Sequence, residues 1–242
     1  MNVPVFIINR DMHTWPRAMV SDILRMGATP IIVDTGSTFP ATIEWYRELV
    51  KQDIAIELCE NHIQHTPWFA GIVDKITLDS DYYIVTDPDL DISGCPDDTI
   101  IHLRNLLDRY PDLYKAGLSI EVLDYPDGSP VKEKAIGWET PFWGSKRDSQ
   151  CYAAPIETTF AIYNRTRPMG VGQPGFVERS VRADRPFTCR HLPFYLTEDY
   201  LPDDVLYYLK HASKVSTMAN HLEGLVAFHE KKNATKPLGA PG

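Results

Sequence analysis

Two hydrophobic periods alternate along the first 110 residues of the chain. VPVFIIN (3–9) is a short continuous apolar run rich in β-branched residues, the composition of a strand buried on both faces. PRAMVSDILRMG (16–27) then sets Met19, Val20, Ile23 and Leu24 at helical spacing, with Pro16 in the first turn and Gly27 placed to end the helix. TPIIVD (29–34) predicts a second buried strand. After the turn-forming TGST, ATIEWYRELVK (41–51) returns to a helical stripe through Ile43, Tyr46, Leu49 and Val50. IAIEL (54–58) predicts a third strand, WFAGIVDKI (68–76) a weak helix and DYYIVTD (81–87) a fourth strand. Strands and helices in this alternation predict an open α/β sheet.

Periodicity thins out in the second half. PDDTIIHLRNLLDRYPD (96–112) reads as a helix with acidic residues in its first turn and Ile100, Leu103, Leu106 and Leu107 on one side. AGLSIEVL (116–123) and APIETTFAIYN (154–164) read as strands, and DDVLYYLKHA (203–212) as a helix. Proline, glycine and charge dominate 125–150 and 166–190, which predicts two long loops, a feature often tied to function in compact domains. HEKKNATKPLGAPG at the C-terminus has the composition of a disordered segment. The expected organisation is one domain over 1–226 and a polar, flexible tail over 227–242.

Composition changes this picture in two ways. At 242 residues and 43% apolar content the chain can bury a sizeable core, while a formal charge of −9 argues against general affinity for nucleic acid or anionic membranes. An anionic ligand would need its own cation. No apolar stretch reaches the length of a membrane span, the N-terminal run is too short for a signal peptide, and four cysteines occur without a CxxC pair. These features predict a cytoplasmic protein with no integral membrane segment.

The densest chemical signal is DYYIVTDPDLDISG (81–94), where an apolar strand runs into Asp87, Asp89 and Asp91. Carboxylates so close raise one another's pKa unless a cation or full hydration intervenes. A solvated turn is the plain alternative, but the carboxyl ends of parallel strands are where open α/β sheets bind ligands. An EF-hand loop is disfavoured, because its obligatory glycine position holds Ile92 and a strand precedes it. A phosphohydrolase of the haloacid-dehalogenase type would use Asp87 as nucleophile and Asp89 as acid/base, although three strands precede the motif here. The remaining reading is the Asp-x-Asp of metal-dependent glycosyltransferases, in which the missing cation arrives with a nucleotide-sugar diphosphate.

Three segments together carry a resemblance. VPVFIINRD resembles the first strand, IIVDTGST the second strand and its turn, and YYIVTDPDLD the Asp-x-Asp strand of GT-A fold glycosyltransferases, especially bacterial family-2-like enzymes, over roughly residues 3–200. The resemblance implies an α/β GT-A (nucleotide-diphospho-sugar transferase) fold, with a mixed, mostly parallel sheet flanked by helices. It implies that Asn9, Arg10, Asp34, Gly36 and Ser37 line the nucleotide pocket. Asp87 would approach the donor ribose or the ion, Asp89 would bind the ion, and His191 in CRHLPFY would complete the metal site. A divalent Mn²⁺ or Mg²⁺ suits such a donor set. The implied donor is a UDP-sugar, with GDP as the alternative, and the implied acceptor is a hydroxyl of a surface or capsular glycan.

The acceptor side needs a base within reach of that hydroxyl. Candidates are Glu139 in GWETPFW, Glu157 in PIETTF and the pair Glu198 and Asp199. Glu157 lies in an apolar, strand-like run, where burial is expected to raise its pKa toward a working range. Trp138, Phe142 and Trp143 form a candidate acceptor platform, since sugars pack C–H faces on aromatic rings. Plainer roles stand beside these: Arg10 paired with a nearby acid, Glu157 as a solvated edge carboxylate, the tryptophans as loop anchors. A non-catalytic nucleotide- or glycan-binding module is the third functional reading.

Overall fold

The computed structural model describes residues 2–59, 66–76, 79–167, 171–172, 174–212 and 217–234. The N-terminal half follows the predicted alternation. β1 (Pro4–Asn9), β2 (Thr29–Asp34) and β3 (Ala55–Leu58) are parallel, joined by α1 (Thr14–Arg25) and α2 (Pro40–Val50). The short helices α3 (Thr66–Phe69) and α4 (Ile72–Lys75) lead to β4 (Tyr82–Thr86), which lies parallel to β1 on its other side. There follow β5 (Leu90–Asp91), α5 (Thr99–Arg109), β6 (Lys115–Gly117), β7 (Ser119–Ile120) and α6 (Lys132–Glu139) with a 3-10 turn at Thr140–Trp143. The chain ends through β8 (Cys151–Tyr152), β9 (Ala161–Asn164), β10 (Ser180–Ala183), β11 (Thr188–His191), a 3-10 turn at Leu192–Tyr195, α7 (Asp203–His211), α8 (Thr217–His221) and α9 (Glu223–Ala234).

The main sheet runs β3-β2-β1-β4-β9-β6-β10-β8 and a small one runs β5-β11-β7. The parallel block ends at β4, because β9 pairs antiparallel with both β4 and β6. Period-2 alternation sends Val5, Ile7, Ile32 and Ile84 to one face, against Met19, Ile23, Trp45 and Leu103. Phe6, Ile31, Tyr83 and Val85 face the other way, against Ile72, Val73 and Phe176. Each such fully buried side chain contributes roughly 1.5–3 kcal/mol of hydrophobic stabilisation. A third cluster, including Met12, Trp15, Val205, Leu209 and Leu225, packs the C-terminal helices against the β1–α1 connection. All four cysteines are free.

Four expectations change. The predicted strand 116–123 breaks at Leu118, so that β6 stays in the main sheet while β7 joins β11 in the small one. The predicted strand 154–164 is a strand only from Ala161, because the carbonyls of Ala154, Pro155 and Glu157 bond to side chains and not to a neighbouring strand. The predicted loops 125–150 and 166–190 contain α6, β10 and most of β11. Helix α6 buries only Ala135 and Glu139, so it has no apolar stripe to read, and β10 hides an arginine among its buried residues. The expected flexible tail is helical through Ala234, since α9 crosses the boundary placed at 226–227, and 235–242 lie outside the described residues.

One buried carboxylate ties the C-terminal layer to the sheet. Asp204 Oδ2 accepts the backbone N–H groups of His13 and Thr14, both at 2.7 Å, and Oδ1 accepts the Thr14 hydroxyl at 2.9 Å. A side chain from α7 thereby caps α1, which has no cap of its own. Asp204→Ala should leave those N–H groups unsatisfied and cost about 1–3 kcal/mol. Urea unfolding of the two proteins checks it, and an unchanged midpoint would refute it.

Candidate functional site

The acidic stretch spans the junction of the two sheets. At the end of β4, the Asp87 N–H donates to the Thr158 carbonyl at 3.1 Å, and the Thr158 hydroxyl donates to Asp87 Oδ2 at 2.6 Å. Beyond Pro88 the chain enters β5, where Leu90 and Asp91 pair with His191 and Arg190 of β11. This register sets His191 Nε2 3.3 Å from Asp89 Oδ2, while the Leu192 N–H donates to the Asp89 carbonyl at 2.9 Å. Asp91 turns away: Arg190 lies 3.3 Å from it and the Ser93 N–H donates to it at 2.9 Å. Burial works against its charge, but Ser93 and Arg190 outweigh that and hold the Asp91 carboxyl below its usual range.

Charge is concentrated where water is scarce. Burial, reinforced by the charge of Asp89, raises the Asp87 carboxyl well above the ordinary range against the opposing Thr158 bond. Burial pulls the His191 imidazole down, but Asp89 and Asp87 together raise it above its ordinary value. Asp89 Oδ1 and His191 Nδ1 are buried without hydrogen-bond partners. Among the described residues, no three His, Cys, Asp or Glu side chains form a closed ion cage. Asp89 and His191 are the two such groups that meet here. An orphaned carboxylate oxygen beside an imidazole fits a divalent cation whose remaining positions are filled by a ligand.

A cavity of about 650 Å³ opens beside this junction. Asp87, Glu157, Thr158 and His191 line it on one side, and Trp138, Glu139 and Arg182 also face it. Glu139 is buried and paired with Arg182 at 2.8 Å, and the same guanidinium donates to the Pro155 carbonyl at 2.9 Å and lies over the Phe142 ring. Glu157, expected to be buried, is exposed at the wall, because its strand-like run does not join the sheet. Trp138 is 68% exposed at the cavity. Trp143 lies outside the lining and donates its indole N–H to the Ile120 carbonyl at 3.2 Å. Glu198 and Asp199 are exposed and also outside it.

The remaining predicted residues cluster at the carboxyl ends of β1 and β2. Asp34 closes the following turn by accepting from the Gly36 and Ser37 N–H groups, the Ser37 hydroxyl and the Tyr46 phenol. Gly36 makes this turn with φ +95°, a conformation that strains residues with a Cβ. Asn9 donates to the Met12 carbonyl and the Tyr46 hydroxyl, both at 2.7 Å, and leaves its own Oδ1 buried without a partner. Arg10 Nε lies 3.8 Å from Asp11, itself left-handed at φ +60° and capping the Thr38 and Phe39 N–H groups. This group and the cavity are separate features, joined through β1 and β4. Sequence reading missed Thr158 and Arg182; the threonine stood next to Glu157 in PIETTF, and no local pattern marked the arginine.

No family model and no curated protein matches the chain. Solved structures do. A mannosyltransferase from Pyrobaculum calidifontis, in complex with GDP-Man and Mn²⁺, is 14% identical with a TM-score of 0.48, and the match covers 98% of this chain and 76% of that one. S. aureus TarS (residues 1–349) with UDP is 9% identical with a TM-score of 0.48, covering 97% and 72%. GalNAc-T7 with UDP, GalNAc and Mn²⁺ is 12% identical with a TM-score of 0.50; 96% of this chain is covered, and the chain spans about half of that protein's length, 54%. The GalNAc-T7 match, together with the mixed sheet and its flanking helices, shows that this chain has the GT-A glycosyltransferase fold.

Proposed function

We propose that the protein is a metal-dependent glycosyltransferase that moves a sugar from a nucleotide diphosphate, a UDP-sugar first, to a hydroxyl of a glycan acceptor. The observation that carries this reading is the junction of β4 and β5, where Asp89 meets His191 at 3.3 Å beside a cavity wide enough for a sugar. Asp89 and His191 would hold the ion, with Asp87 adjacent. When bound, a divalent cation there supplies charge neutralisation for the leaving diphosphate.

The chain's own residues divide the remaining work. The turn at Asp34, Gly36 and Ser37, with Asn9 and Arg10, is the proposed nucleoside side, where the orphaned Asn9 oxygen offers an acceptor and Arg10 a donor fork. Thr158 holds Asp87 in place by its 2.6 Å bond. On the cavity wall, Glu157 is the proposed base that takes the acceptor hydroxyl's proton. Glu139 is the weaker candidate, because its carboxylate is already bound to Arg182. The exposed Trp138 ring offers a face for the acceptor sugar.

Calorimetric titration of UDP and GDP with Mn²⁺, and again with EDTA, tests the donor site. Mn²⁺-dependent binding of one nucleotide is expected, weakened at least about tenfold by Asp89→Ala. Absence of binding to both nucleotides in the unmodified protein would overturn the reading. Once a transfer assay exists, Glu157→Gln should lower kcat by about 10²–10⁴-fold while leaving nucleotide affinity intact. A collapse of kcat in Glu139→Gln alone would move the base to Glu139.

A further inference from the structure

Lys115 is a fully buried lysine that no step above uses. It stands on β6 with its ammonium 4.0 Å from the centre of the Phe176 ring and 5.7 Å from that of Tyr163, and it donates to the Glu157 carbonyl at 3.1 Å. Its neighbours act alike. Arg182 donates to the Pro155 carbonyl at 2.9 Å and the Ser180 hydroxyl to the Ala154 carbonyl at 2.8 Å, so side chains of β6 and β10 replace the ladder that this stretch lacks. The stretch also presses on the strand: a Cβ at Gly117 would stand 2.8 Å from the Phe160 carbonyl oxygen. One residue past the Lys115 contact, Thr158 holds Asp87 through both its carbonyl and its hydroxyl.

The Phe176 and Tyr163 faces attract the ammonium and offset part of its desolvation, but an apolar side chain of similar volume would fill the space with no desolvation penalty. Burial brings the Lys115 pKa down to about 7, with Glu157 and Glu178 opposing the shift. The group therefore serves something other than packing.

We propose that Lys115 is a positioning residue: through the Glu157 carbonyl it fixes the Pro155–Phe160 crossing, which sets Thr158 against Asp87 and Glu157 at the cavity wall. Its catalytic consequence rests on the glycosyltransferase reading, whereas the tether itself is measurable without it. Lys115→Met keeps the stem and removes the donor. Amide hydrogen exchange should then accelerate at Asp87 and Ile156 by at least about tenfold, with the amides of β1 and β2 unchanged. In the transfer assay kcat should fall about tenfold with donor KM nearly constant. Unaltered exchange at Asp87 would overturn the tether, and so would a uniform loss of protection that includes β1 and β2, which would assign Lys115 to general stability. Should Lys115→Met not fold, Lys115→Gln keeps an N–H donor on a shorter stem and is read at the same two amides. A wild-type protein without transferase activity would defeat the glycosyltransferase reading alone, because the exchange measurement still decides the tether.

Discussion

Two aspartates separated by one proline are held by two different sheets, and the organisation of the site follows from that constraint. Asp87 is fixed by the segment leading into β9, whereas Asp89 is fixed by the pairing of β5 with β11. Pro88 permits the change of sheet, since it has no N–H to leave unsatisfied in either ladder. The arrangement brings two carboxylates into one poorly hydrated place with a single imidazole between them and neutrality. Like charges so confined are unfavourable without a cation. Burial and then the charge of Asp89 raise the Asp87 carboxyl, while Asp89 and Asp87 raise His191 by favouring its imidazolium, which offsets part of that repulsion. Perturbed groups of this kind cluster at functional sites and occur also in structural ion pairs.

Antiparallel β9 is what turns a parallel block into this site. Beyond β1–β4 a doubly wound sheet would add another parallel strand and leave the carboxyl end of β4 facing open solvent. Here the chain entering β9 arrives at that end from the opposite direction and delivers Thr158 and Glu157 to it. The cost is a crossing whose carbonyls have no strand to bond. Ser180, Arg182 and Lys115 meet that need from β10 and β6, and Arg182 also fixes Glu139 on α6. The cavity wall is therefore held by buried polar bonds, which fix geometry more tightly than apolar contact because each lost partner leaves a desolvated group.

The division between legible and hidden features follows the same line. β1, β2, β4, α1, α2 and α5 were readable because their burial is local and periodic: one face or both faces of each element are apolar over several consecutive turns or pairs. The approach of His191 to Asp89 follows from a strand-end motif and a resemblance, and the structure sets the two side chains 3.3 Å apart. α6 was not, because it packs through Ala135 and a glutamate paired with an arginine 43 residues away. β10 was hidden for the matching reason, and the strand predicted at 154–164 held only from Ala161 because apolar composition cannot reveal that a backbone is bonded by side chains. What sequence pattern misses here is long-range and polar.

That distinction bears on the choice between Glu139 and Glu157. A base must release one set of contacts as it takes a proton, so a carboxylate committed to a buried guanidinium is poorly suited: protonating it would strand Arg182 as an unpaired charge at 6% exposure. Glu157 is exposed at the wall, and its backbone carbonyl accepts from Lys115. If Glu157 is the base, its position is set by the Lys115 bond to its carbonyl, and proton transfer is left to the side chain. On the proposed reading, the buried Glu139–Arg182 pair is a rigid part of the cavity wall and the exposed Glu157 is the group that reacts.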